Sequence, residues 1–108
     1  MPGGTVTEDV ILGLAVSQLL LGTREILVMH HRDCAMCHVR DDELAAAVER
    51  STGQRPPWRF ETCSDPVLRV EEAVRLFTCD PHLPHTEIVR GFLYDERADT
   101  LTEVCDGP

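Results

Sequence analysis

Apolar positions in this chain fall into two kinds of run, one with helical spacing and one continuous. From Val10 onward, Val10, Ile11, Leu14, Ala15, Leu19 and Leu20 recur at helical spacing. Thr7 stands at the N-cap position, Glu8 and Asp9 place negative charge in the first turn, and Gly22 supplies the stop. Leu12, Val16 and Leu21 widen the apolar face, so the pattern predicts a helix buried on more than one side. Gly13, Ser17 and Gln18 interrupt the run, which is too short and too broken to span a bilayer. Ile26 to about His30 then reads as a continuous apolar strand, as expected of a parallel sheet covered on both faces.

Further along, Asp41 or Asp42 is the expected cap of a second helix running to about Arg50. Leu44, Ala47 and Val48 face inward in this reading, and Gly53 ends the helix. Gln54 to Thr62, with Pro56, Pro57 and Trp58, reads as a loop, Trp58 being a packing residue. Asp65-Pro66 opens a third helix with a cap followed by proline at the first helical position. Its apolar face is Val67, Val70, Val74 and Phe77, with Ala73 beside it, and Asp80 to Pro84 breaks it. Thr86 to Tyr94 is a second strand; Asp95 to Thr100 is a turn into a short strand, Leu101 to Val104. The predicted order is helix, strand, helix, helix, strand, strand: an α/β fold with a truncated, mainly parallel sheet, flanking helices and a C-terminal hairpin. The pattern opens on a helix, as though a strand preceded it, with Gly3-Gly4 as the turn that joined them.

Composition narrows the class. The 108 residues predict a single domain with one core. A net charge of -9 argues against nucleic acid or an anionic membrane surface as partner. The start lacks the basic region of a signal peptide, so a cytoplasmic location is expected. Five cysteines without an export signal point to thiols rather than a disulfide framework, and Cys63, Cys79 and Cys105 read as buried free thiols.

The candidate chemistry lies between His30 and His38, where two thiols and three imidazoles share nine residues at the end of the first strand. His31-x-x-Cys34, with Cys37 and His38 nearby, has zinc-ligand spacing. Cys34-x-x-Cys37-His38 also matches a haem-attachment pattern, and Cys34-x-x-Cys37 a redox dithiol. A loop of solvated histidines and buried thiols is the reading without chemistry. His30 reads as a packing or hydrogen-bonding residue, and His38, His82 and His85 as solvated loop residues.

The surrounding residues carry a resemblance. Leu21-Gly22-Thr23-Arg24-Glu25-Ile26 followed by His30-His31-Arg32-Asp33-Cys34 is similar to the L-G-T-R-E-I and H-H-T-D-C-G segments of the β-class carbonic anhydrases. Gly3-Gly4 resembles the end of the family's N-A-G-G turn, with Val6 to Val10 as the helix start after it. Asp41 to Leu44 fits the next helix, and Val89 to Asp95 resembles the V-R-G-F-V-Y-D strand. The resemblance runs along essentially the whole chain and covers the later part of the family's domain.

It implies zinc as cofactor, CO2 and bicarbonate as substrate and product, and hydration by metal-hydroxide chemistry, a lyase activity. His31 and Cys34 map onto two of the family's zinc ligands. Gly3 and Gly4 map onto supporting positions, and Asp33 is expected to hold the ligand loop by accepting hydrogen bonds from nearby backbone or from an arginine such as Arg24. The remaining ligand, and the Asp/Arg dyad that orients the reacting water, belong to a C-x-D-x-R motif on an earlier strand, and the chain starts after that point. Cys37, a thiol three residues from a ligand position, is the candidate for a third ligand. Arg32 for the usual Thr and Ala35 for the usual Gly are departures from the pattern. Two readings follow: a zinc-dependent carbonic anhydrase, or a non-catalytic zinc-binding or dimerising module. Either is expected to form a homo-oligomer or to pair with a complementing chain.

Overall fold

A computed structural model of the protein describes residues 6–32, 39–57 and 65–106. The element order is α1 (Glu8–Leu21), β1 (Glu25–His31), α2 (Asp41–Thr52), α3 (Pro66–Cys79), β2 (Ile88–Asp95) and β3 (Thr100–Asp106). This is the α/β order read from the pattern. Both strand ends of the hairpin move, because pairing of Asp95 with Thr100 and of Arg90 with Asp106 carries the ladder beyond the apolar residues. Among the described residues no helix is long and apolar enough to cross a membrane.

The helix boundaries follow local chemistry. Gly22 and Gly53 end α1 and α2 in left-handed backbone, at φ 73° and 79°, a conformation glycine adopts without a Cβ clash. Asp65 caps α3 by accepting from the amides of Val67 and Leu68 at 3.0 and 3.4 Å. Thr7 stands at the N-cap of α1 without a side-chain cap bond; its carbonyl instead accepts from Val10 and Ile11. The N-cap of α2 is Arg40 rather than an aspartate, and Asp41 already belongs to the first turn. No residue of α2 is fully buried, so the inward face expected of Leu44, Ala47 and Val48 is only partly covered.

The sheet has the order β1-β2-β3, with β1 and β2 parallel and β2 and β3 antiparallel. Helix α3 covers one face: Val70, Ala73, Val74 and Phe77 pack with Ile26, Val28, Val89 and Leu83 into the core. Gly91 lets α3 approach, since a Cβ there would collide with Val70 Cγ1 and lie 3.0 Å from Val74 Cγ2. Val10, Ile11, Leu14 and Ala15 of α1 pack against the edge of this cluster.

The expectation of cover on both faces fails. Burial alternates along β1: Ile26, Val28 and His30 are buried, while Leu27 and Met29 are 57% and 56% exposed. The continuous apolar run therefore meets α3 on one face and, among the described residues, nothing comparable on the other. Nor is α1 buried on more than one side, because Leu12, Val16, Leu19, Leu20 and Leu21 are all exposed. Its one fully buried residue is Gln18, which the sequence pattern took as a break. The Gln18 amide donates to the His85 carbonyl at 2.8 Å and accepts from the His85 amide at 3.0 Å. Both polar ends of the side chain are thus satisfied, and burial costs little.

Candidate metal centre

Parallel strands β1 and β2 end side by side, with His31 opposite Tyr94 in register. Ligand sites of α/β sheets form beyond such carboxyl ends, because the loops leaving them are free to vary without disturbing the ladder. His31 sits here, on the open face of β1, with half of its side chain exposed. Its neighbour His30 points to the opposite face and is buried, its Nδ1 donating to the His31 carbonyl at 2.8 Å. The two rings stack with centroids 5.8 Å apart. His30 is thus the packing and hydrogen-bonding residue the sequence suggested.

The turn after β2 closes the other side. Asp95 Oδ1 accepts from the amides of Arg97 and Ala98 at 3.0 and 3.3 Å, bending the chain back toward β3. Asp99, at φ 52°, accepts from the Tyr94 hydroxyl at 2.7 Å. That hydrogen bond, with lesser help from burial and from Glu96 and Asp95, raises the Tyr94 pKa, so the phenol stays protonated. Glu96, at the head of the turn, places Oε2 3.0 Å from His31 Nδ1. Arg32 is fixed beside it: its amide donates to the Tyr94 carbonyl at 2.8 Å and its guanidinium lies 3.6 Å from Asp95.

Of the candidate zinc ligands His31, Cys34 and Cys37, His31 is the one the structure describes. Asp33, Cys34, Cys37, His38, Gly3, Gly4, Trp58 and Cys63 lie outside the described residues, as does the suggested contact between Asp33 and Arg24. Among the described residues no group of three or more metal-ligating side chains converges. The donor set nonetheless has zinc chemistry: one imidazole, already paired with a carboxylate in the manner of metal-binding histidines, and two thiols a few residues on. Glu96 went unread in the sequence, where it falls in the Asp95 to Thr100 turn. The signal was there in the acidic pair at the end of β2, the strand that runs parallel to β1.

Other expectations fare differently. His82 is largely exposed, as a loop residue should be, whereas His85 is partly buried where its backbone meets Gln18. Cys79 and Cys105 are free thiols, but Cys79 is exposed, because it closes α3 beyond the covered face. Cys105 is partly buried, and burial, followed by the charges of Glu71, Asp106 and Glu103, raises its pKa.

Comparison with known proteins gives consistent results. β-Carbonic anhydrase 1 of Mycobacterium tuberculosis is 42% identical over 102 residues, which is 94% of this chain and 63% of that protein. The carbon disulfide hydrolase of Saccharolobus solfataricus is 42% identical over 43 residues, 40% of this chain and 21% of that enzyme. The crystal structure of carbonic anhydrase from Streptococcus mutans matches with a TM-score of 0.88 at 33% identity, over 95% of this chain and 63% of that one. The chain therefore spans 63% of the length of the curated β-carbonic anhydrases it matches. No family model matches it.

Proposed function

The chain is a homologue of the β-carbonic anhydrases along nearly its whole length, and from that premise we propose that it serves the reversible hydration of CO2 to bicarbonate with zinc held in part by His31 and Cys34. The observation that carries this reading is the His31 imidazole at the carboxyl end of parallel strands, 3.0 Å from the Glu96 carboxylate. Cys34 lies three residues on, and Cys37 offers a further thiol. When bound, zinc supplies the Lewis acidity that brings water to a reactive pKa near neutrality. This chain's own part is to present the His31 imidazole at the strand end, with the Cys34 and Cys37 thiols following it in sequence. The Arg32–Asp95 ion pair and the Arg32 amide bond to Tyr94 hold that strand end in place. Asp33, Gly3 and Gly4 support the ligand loop in this reading, and residues 1–108 act as one domain.

The test is zinc content of the purified chain together with CO2 hydration. One zinc per chain, lost in His31→Ala and Cys34→Ser, with hydration above the rate of free zinc, supports the proposal. Zinc content indifferent to both substitutions overturns the ligand assignment. Zinc retained by Cys37→Ser removes Cys37 from the set.

A second reading, a zinc-binding or dimerising module without turnover, is favoured by the uncovered apolar surface. Leu12, Val16, Leu19 and Leu20 of α1 and Leu27 and Met29 of β1 are exposed, and surfaces of this kind mark association sites. In this reading a second copy or a complementing chain covers them. Bound zinc with no hydration, in a chain that sediments as an oligomer, selects it.

A further inference from the structure

The carboxylate that meets His31 has a task of its own. We propose that Glu96 is a positioning residue: it holds the His31 imidazole in the tautomer whose metal-binding lone pair is on Nε2. The proposal rests on the reading of His31 as a zinc ligand and adds the group that prepares it.

His31 Nδ1 lies 3.0 Å from Glu96 Oε2. An ionised carboxylate only accepts, so Nδ1 carries the hydrogen and the neutral ring has its lone pair on Nε2. The turn that presents Glu96 is built by its own bonds: Asp95 accepts the amides of Arg97 and Ala98, and Asp99 accepts the Tyr94 hydroxyl. Arg32 meets Asp95 as His31 meets Glu96, so two successive residues at the end of β1 face two successive carboxylates of the turn. That double attachment limits rotation of the strand end as well as of the ring. Half of the His31 side chain and about a third of Glu96 remain in water. The expected effect on zinc affinity is therefore at the low end of the range for groups that orient a ligand, roughly tenfold.

The experiment reads the tautomer first, without metal. In the 15N-labelled, zinc-free chain at a pH where the ring is neutral, two-bond nitrogen–proton correlations should give His31 as Nδ1–H. Glu96→Ala should move it toward Nε2–H, the form free imidazole side chains prefer, and Glu96→Gln, whose amide oxygen still accepts, should restore it. A tautomer unchanged in Glu96→Ala overturns the proposal. Zinc titration against a chromophoric chelator should show about tenfold weaker binding for Glu96→Ala and recovery in Glu96→Gln. Loss of zinc in His31→Ala with none in Glu96→Ala overturns the positioning role alone. Zinc affinity unchanged in His31→Ala overturns the ligand reading beneath it, while the tautomer measurement still reports the Glu96 bond.

Discussion

The two faces of β1 carry nearly the same side chains and meet different fates. Ile26, Val28 and His30 lie under α3 and are buried; Leu27, Met29 and His31 lie on the other side and are exposed. Sequence hydrophobicity does not distinguish Val28 from Leu27. What differs is the cover, and each large apolar side chain a partner covers gains roughly 1.5–3 kcal/mol. The closed face therefore holds this chain together, whereas the open face, which also bears His31, draws little stability from its apolar side chains.

Substitutions should separate the faces, beginning with the largest effect. Phe77→Ala removes one of the most deeply buried side chains of the core, and unfolding by urea should show a loss of about 3–5 kcal/mol. Gly91→Ala forces a Cβ against Val70, Val74 and the Cys105 sulfur, and the same measurement should give about 1–3 kcal/mol. Losing the Asp65 cap in Asp65→Ala costs about 1 kcal/mol. On the open face, Leu27→Ala with Met29→Ala should change the stability of the dilute chain by under about 0.5 kcal/mol and weaken any self-association seen by sedimentation. A large stability loss there would break the comparison, since it would mean that the open face is already covered.

The smallest effect concerns the thiols. Cys105 has its pKa raised by burial, so the folded state holds that proton more tightly than the unfolded one. Stability from this source is complete below the ordinary thiol pKa and is lost as pH rises through and above it. Iodoacetamide should accordingly modify exposed Cys79 before Cys105, and a mass spectrum that shows the reverse order would contradict the assignment of Cys105 to the covered side.

Much of the local structure was legible along the chain. Gly22 and Gly53 as helix stops, Asp65-Pro66 as a helix start and the continuous run from Ile26 each signal through neighbours a few residues away. The His31-x-x-Cys34 spacing and its flanking motifs carried the family for the same reason: they are short and contiguous. Gln18 and Glu96 were misread or missed because their partners, His85 and His31, are distant in sequence. By itself the sequence determined the order of elements, the glycine stops of α1 and α2, the Asp65-Pro66 start of α3 and the family resemblance. Tertiary structure alone decided which face α3 covers, that Gln18 is buried, and that Glu96 meets His31. Periodicity fixes which side chains share a face, but only the parallel register of β1 on β2 decides what that face meets.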